Sequence, residues 1–163
     1  MPNYHIAMGQ ALVINDLNNN TIYTGPSLAA PGNALQSCSA VIMINTTTNV
    51  AGMYHHPAAS HLKNEAKQII DIMNLDISPD QIWLYYGNVK SINYSTDLVE
   101  LSSYLKNFVV HLHMRPANSG AVSVSMNGGQ PQINTGHMDI EGTNNLTDTI
   151  AGYLPGGVGK LIM

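Results

Sequence analysis

The amino-acid sequence predicts an α+β fold: a layered β-structure of mixed and antiparallel sheets with amphipathic helices packed outside it. Two observations lead to this prediction. Short apolar segments of strand length are separated by turns rich in Asn, Gly and Pro. Two segments with helical spacing of apolar residues lie between strands, so the elements run strands, helix, strand, helix, strands.

The N-terminal part of the chain is predicted to contain strands and a long loop. Residues 5–14 have the composition of a strand that Gly9 interrupts, because a missing side chain commonly marks a bulge or a close backbone approach. Residues 15–36 are rich in Asn, Gly, Pro and Ser, which predicts a loop with one short strand at 21–24.

A hairpin and the first helix are predicted next. The apolar segments 39–44 and 50–54 have strand length, and the sequence INTTTN between them predicts a turn. Residues 60–74 place apolar side chains on one face at helical spacing, with Ser60 as N-cap. Residues 81–85 then form a strand, so we expect the helix to pack against a sheet.

A second helix and a second hairpin follow. Residues 95–107 are predicted to form an amphipathic helix and 109–114 a strand. Segments 122–126 and 130–134 flank the sequence Asn-Gly-Gly, a strong hairpin signal because type I′ turns need positive φ.

The C-terminal segment, residues 137–163, is interpreted as an extension of a single domain that spans residues 1–163. Pro155 would end a helix in this segment. A short helix is therefore predicted through Leu146, Ile150 and Leu154.

Charge and cysteine content limit the class of partner and the compartment. Six Lys and Arg against ten Asp and Glu give a net charge of −4, and no basic patch is visible. Nucleic acid and anionic membranes need clustered positive charge, so neither is expected as the main partner, and a weakly charged surface suits a protein-binding face. One cysteine excludes an intrachain disulfide, and neither a secretory signal nor a spanning apolar segment is visible. The expected location is cytoplasmic, or a target cell reached by a signal-peptide-independent route.

Cys38 and His55 are the candidate catalytic pair. Cys38 lies where the polar loop enters an apolar strand, and His55 lies at the end of the next strand. Since antiparallel strands place the start of the first beside the end of the second, the two side chains are expected to meet. A thiol attacks only as the thiolate, and an imidazole is its usual base. A lone cysteine is also commonly a small buried apolar residue, and His56 or His61 could serve as the base equally well.

The order of these segments resembles the CheD-like family of chemoreceptor glutamine deamidases. IAMGQALV is similar to the opening strand of that family, and LQSCSAVIMINTTTNVAGMYH is similar to its stretch from catalytic Cys to catalytic His, with the same spacing. YYGN, KNFVVHLH and NSGAVSVSMNGGQPQINTG continue the likeness through residues 5–136. The resemblance implies hydrolysis of a glutamine side chain on a protein substrate, with Cys38 as nucleophile, His55 as general base and no metal or organic cofactor.

The resemblance also implies a threonine that holds the imidazole. The family has this Thr shortly before the Cys, where this chain has Gly32. If the loop carries an insertion, the segment TIYT corresponds to the strand that ends in that residue, and Thr24 becomes the third catalytic candidate. Tyr23 and Gln36 are alternatives for the same role, and an ordinary strand-end threonine is an equal interpretation of Thr24.

Bacterial toxins that deamidate host glutamines share this fold and this Cys and His pair. The longer loop, the C-terminal extension and the Asn-rich surface of low charge favour a toxin or effector over a chemotaxis enzyme. Transglutaminase or protease chemistry uses the same pair, and a non-catalytic binding module could keep the same frame. A metal site on His111 and His113, joined by other histidines, is a further alternative, although it needs three or four convergent ligands.

Overall fold

Two facing β-sheets make up most of the structure that is described. They contain the short strands that the sequence predicts, together with strands from the C-terminal segment. The computed structural model describes residues 3–15, 20–26, 34–57, 65–87, 94–105, 111–127, 130–136, 143–145, 152–154 and 159–162.

The larger sheet carries the central hairpin of the chain. Its strands are β2 (Ala11–Ile14), β4 (Ser39–Asn45), β5 (Val50–His56), β6 (Gln81–Tyr86), β7 (His111–Pro116), β11 (Gly152–Tyr153) and β12 (Gly159–Leu161). Their order is β11-β12-β2-β5-β4-β6-β7. Neighbours are antiparallel except β6 and β7, which run parallel. The hairpin β4–β5 therefore lies in the interior of this sheet.

The smaller sheet contains the second hairpin. Its strands are β1 (Asn3–His5), β3 (Thr21–Thr24), β8 (Val122–Asn127), β9 (Gln130–Thr135) and β10 (Thr143–Asn145), in the order β10-β1-β3-β8-β9. β1 pairs parallel with both of its neighbours, and the remaining pairs are antiparallel.

The two sheets pack face to face over one apolar cluster. Leu12, Ile42 and Met53 of the larger sheet meet Ile22 and Val122 of the smaller sheet in this cluster, and all are buried. The other face of the larger sheet packs against a helix, so β4 and β5 are buried on both faces. This explains why their sequences are almost continuously apolar instead of alternating.

That helix is α1 (Glu65–Ile77), with α2 (Tyr94–Leu105) beside it. Met73 and Ile77 of α1 form a second buried cluster with Val41 and Met43 of β4. The hydroxyl of Tyr104 in α2 donates to the Asp71 carboxylate of α1. The described chain is a mixed α+β fold with two mostly antiparallel sheets, which is compatible with the layered α+β architecture that the sequence predicts.

Both predicted hairpins are confirmed. In β4–β5, Ser39 pairs with His56 and Asn45 with Val50, and β8–β9 pairs around the Asn-Gly-Gly sequence. Both predicted helices are present, and their observed ends lie within a few residues of the predicted ends where these are described. Residues 60–64, with the predicted Ser60 cap, and residues 106–110 lie outside the described residues.

Two predictions of secondary structure are wrong. Residues 5–14 form no single interrupted strand: β1 and β2 belong to different sheets, and a turn closed by the Gln10 N–H to Ala7 carbonyl bond joins them. The short C-terminal helix fails where it is described, because Gly152–Tyr153 is a strand. Its positions 146–151 lie outside the described residues. No helix in the described ranges is long and apolar enough to cross a membrane.

Candidate active site

Thr24 and His55 meet across the interface between the two sheets. Thr24 ends β3 and pairs with Val122, which faces the inter-sheet cluster. His55 follows Ala51 and Met53 at alternate positions of β5, and both of these belong to the same cluster. The Oγ1 atom of Thr24 lies 2.7 Å from Nδ1 of His55. Both side chains are buried, at 0% and 1% exposure.

The hydroxyl of Thr24 determines which ring nitrogen of His55 carries the proton. Thr24 Oγ1 lies 2.9 Å from the backbone carbonyl of Ile6, which can only accept a hydrogen bond. A hydroxyl has one proton to donate and lone pairs that accept. Thr24 therefore donates to Ile6, and Nδ1–H of His55 donates to Thr24. In the neutral ring the opposite nitrogen, Nε2, then has a free lone pair.

The environment keeps this imidazole neutral. Burial, followed by the nearby His56 and His5, lowers the pKa of His55 from 6.5 to about 4. The Nε2 atom is buried and has no hydrogen-bond partner among the described residues. An unpaired buried polar atom costs free energy, and such atoms in folded proteins often mark functional sites. His55 is thus a neutral base with its acceptor atom unoccupied.

Cys38 lies on the same face of the larger sheet as His55. Ala40 pairs directly with His55, and alternation of side chains puts Cys38 on the face of Ala40. Cys38 is partly buried and packs against the inter-sheet cluster. If the β4–β5 register continues by one residue, Cys38 and His55 are diagonal neighbours, whose Cα atoms are typically about 7–8 Å apart.

No hydrogen bond joins Cys38 to His55 in the described structure, since Nε2 has no partner there. Nucleophile and base are often out of hydrogen-bond range in a free enzyme and close up when substrate binds. The two side chains lie diagonally on one sheet face, so rotation of the Cys38 side chain must close the remaining distance to His55. Strand pairing therefore places Cys38 and His55 on the same sheet face without forming a hydrogen bond between them.

The backbone around Cys38 is held from two sides. The N–H of Gly87 donates to the Cys38 carbonyl at 3.1 Å, and the N–H of Leu35 donates to the Gly120 carbonyl at 2.7 Å. A Cβ atom on Gly87 would lie 2.2 Å from the Leu35 carbonyl oxygen and 2.4 Å from that of Gln36. Only glycine fits at position 87, so the loop before Cys38 rests directly on the end of β6.

The other candidates for the residue that holds the imidazole lie elsewhere. Tyr23 is next to Thr24 on β3, so its side chain points to the opposite face, and its hydroxyl donates to the Pro26 carbonyl at 2.5 Å. Gln36 is exposed. Gly32 lies outside the described residues. Thr24 is the candidate whose side chain is hydrogen-bonded to His55.

The remaining histidines of the sequence hypotheses are placed apart from His55. His56 points to the opposite face of β5, where its ring lies 5.9 Å from that of Tyr54. His113 stacks on Trp83 with ring centroids 3.9 Å apart, and His111 is exposed on the same edge strand. His61 lies outside the described residues. Among the residues that are described, no three His, Cys, Asp or Glu side chains are placed to hold a metal ion.

The chain matches no model of a known protein family and no curated protein sequence.

Residues that sequence reasoning missed lie around the catalytic candidates. The Ile6 carbonyl, which orients Thr24, is a backbone group that carries no sequence signal. The role of Gly87 could have been found, since a glycine directly after an apolar strand is a signal of close backbone approach. Tyr85 and Arg115 line a cleft beside the site, and only the pairing of β4 with β6 and of β6 with β7 brings them there.

Proposed function

We propose that this chain is a CheD-like, cysteine-dependent protein-glutamine deamidase. It converts a glutamine side chain of a protein substrate to glutamate and releases ammonia. The observation that carries the proposal is the hydrogen bond from His55 Nδ1–H to Thr24 across the two sheets. That bond directs a free lone pair of a neutral imidazole into the inter-sheet face on which Cys38 lies. Nucleophile, base and a group that orients the base are the parts that cysteine acyl-transfer chemistry requires.

In the first half-reaction the thiol of Cys38 gives its proton to Nε2 of His55 as sulfur attacks the glutamine carboxamide carbon. Because the pKa of His55 is about 4, the resting imidazole is neutral, and it takes up the proton as the C–S bond forms. The backbone N–H of Cys38 and that of a neighbour stabilise the oxyanion, at about 3 kcal/mol for each donor. Protonated His55 then donates to the nitrogen, the C–N bond breaks, and ammonia leaves a thioester on Cys38.

In the second half-reaction water resolves the thioester. His55 takes a proton from water as its oxygen attacks the thioester carbon, and the C–S bond breaks with sulfur receiving that proton. Glutamate leaves, and both side chains return to their starting state. Thr24 keeps its bond to Nδ1 throughout, so it is a positioning residue that acts through His55. The chain's own side chains supply each proton transfer in this scheme.

Of the two branches of deamidases that the sequence resembles, we propose the toxin or effector type, which acts in the cytoplasm of a target cell. The supporting feature is the C-terminal segment, which contributes β10 to the smaller sheet and β11 and β12 to the larger one. The chemotaxis type, acting on a receptor in its own cytoplasm, is the alternative. Identification of the deamidated protein separates the two.

The proposal is tested by incubating the protein with bacterial and eukaryotic lysates in water labelled with heavy oxygen. Peptide mass spectrometry then locates glutamines converted to glutamate. We expect conversion with one labelled oxygen per new carboxylate, because water resolves the thioester. Addition of a primary amine to a parallel sample tests for transglutaminase chemistry, which would give amine adducts at the same glutamines.

The matched variants are Cys38→Ser, His55→Gln and His56→Gln. The first two remove the nucleophile and the base, and we expect turnover to fall by at least about 10²- to 10⁴-fold. His56→Gln makes the same chemical change on the opposite face of the same strand and should retain activity. If the wild type converts no glutamine, or if His55→Gln and His56→Gln are equally active, the chain is a non-catalytic binding module or uses another site.

A further inference from the structure

A cleft of about 430 Å³ lies between the edges of the two sheets, beside the candidate active site. One wall comes from the larger sheet at the ends of β6 and β7, and the other comes from β9 of the smaller sheet. Its lining residues are Tyr85, Arg115, Pro116, Asn118, Ile133, Asn134 and Thr135. None of these residues is acidic, so Arg115 gives the cleft a positive charge in a protein of net charge −4.

Arg115 is held in place without being neutralised. One guanidinium nitrogen, Nη1, donates to the Met114 carbonyl at 2.8 Å, and the guanidinium carbon lies 5.9 Å from the ring centroid of Trp83. Trp83 is itself stacked between His113 and Tyr85, with centroid distances of 3.9 Å and 6.2 Å. In the described part of the chain no carboxylate pairs with Arg115. Its remaining N–H groups are free to bind an anion, and guanidinium matches a carboxylate in a bidentate geometry.

The cleft is within reach of a peptide bound at Cys38. Ala40 pairs with Tyr85, and Tyr85 pairs with Arg115, so Arg115 lies two strand spacings from β4. Strands are about 4.8 Å apart and rise about 3.4 Å per residue, which puts Arg115 roughly 12 Å from Cys38. An extended substrate covers that distance in about three to four residues.

We propose that this cleft binds the segment of the protein substrate that flanks the target glutamine, and that Arg115 selects an Asp or Glu about three to four residues from that glutamine. This inference rests on the proposed deamidase function, because the location of Cys38 sets the position of the glutamine. Tyr85 lines the cleft and pairs with Arg115 across β6 and β7. Burial raises the pKa of Tyr85 and the cation of Arg115 lowers it, with burial the larger effect, so its phenol stays protonated and can donate a hydrogen bond to the substrate.

The test uses synthetic peptides with one glutamine and either Asp or Asn at each position up to four residues away on both sides. Wild-type protein is assayed for conversion of the glutamine by mass spectrometry, and Cys38→Ser is used to measure binding of the same peptides by fluorescence anisotropy. We expect the Asp peptide at the favoured position to have a kcat/KM about tenfold above that of its Asn counterpart. This ratio should fall as salt is added, because Arg115 is exposed.

Arg115→Gln should remove the difference between the two peptides, and Arg115→Glu should favour a Lys peptide instead. The matched control is Lys160→Gln. Lys160 lies on β12, near the opposite edge of the larger sheet, and pairs with Asp76 of α1, so its replacement should keep the preference for Asp. If glutamine is converted with no preference for Asp, or if Arg115→Gln keeps that preference, the inference about the cleft is wrong and the deamidase proposal stands. If Cys38→Ser binds the Asp peptide through Arg115 while the wild type converts no glutamine, the cleft is supported and the deamidase proposal fails.

Discussion

Replacing Thr24 by valine tests the contact on which the site depends. Valine has nearly the shape of threonine and lacks the hydroxyl, so the change removes the bonds to the Ile6 carbonyl and to His55 Nδ1–H with little change in packing. Both partners are left in the interior between the sheets. The variant should therefore lose stability and also lose control of the His55 tautomer.

The two effects have separate magnitudes. Each buried polar group left without a partner costs about 1–3 kcal/mol, so the free energy of unfolding should fall by about 3 kcal/mol. A bond of about 1.4 kcal/mol corresponds to a tenfold change in the ratio of the two neutral ring tautomers. The proposed deamidation should then be slower by up to about tenfold in Thr24→Val, since less of the protein has a free Nε2 lone pair.

The assay combines kinetics with nitrogen-proton NMR correlation spectra of the His55 ring, which separate the two neutral tautomers. Thr24→Ser retains the hydroxyl and should restore both the tautomer with the proton on Nδ1 and most of kcat. A purely structural role for Thr24 would change stability and leave the tautomer unaltered. If Thr24→Val keeps the wild-type tautomer and kcat, Thr24 is an ordinary strand-end residue.

Two further predictions follow from His55 and from the loop before Cys38. The pKa of His55 is about 4 in the folded protein and near 6.5 when unfolded. Its contribution to the free energy of unfolding should therefore be fully present above pH 6.5 and be lost as the pH falls towards 4. Denaturant unfolding at a series of pH values should show His55→Gln losing on the order of 3 kcal/mol less over this range than the wild type, and equal losses would refute the assignment. Gly87→Ala should displace the Cys38 loop and lower kcat. Gly52→Ala, which crowds flexible Ile77 and Met73 side chains on the helix side, should lower the melting temperature while leaving kcat of the folded protein near wild type.

The elements that the sequence predicted well are those whose pattern is local. The hairpin β4–β5 combines two apolar segments with a turn that supplies its own hydrogen bonds. Asn45 Oδ1 accepts from the backbone N–H groups of Thr47 and Thr48 in this turn. The Asn-Gly-Gly hairpin is local in the same sense. Residues 5–14 could not be divided correctly, because both halves are apolar and nothing local indicates that β1 and β2 join different sheets.

The same distinction between local pattern and long-range packing applies to the candidate site. Cys38 and His55 come from one hairpin, so their placement on one sheet face could be argued from spacing and strand pairing. Thr24 comes from the other sheet, and the sequence named it only through the family resemblance, with Tyr23 and Gln36 as alternatives. The choice depends on how β3 packs over β5, which is a property of the whole core.

Because His55 and Thr24 come from different sheets, the orientation of the His55 ring depends on the packing of the two sheets. Its backbone is fixed by β4 and by Gly9 and Gln10, which lie just before β2 of the larger sheet. Its ring is oriented by Thr24, whose own direction is set by the Ile6 carbonyl just after β1 in the smaller sheet. The bond between Thr24 and His55 is 2.7 Å long and hydrogen bonds weaken beyond about 3.2 Å, so a larger relative shift of the two sheets would weaken it. The apolar cluster that stabilises the sandwich therefore also keeps Nε2 of His55 directed at the face that carries Cys38.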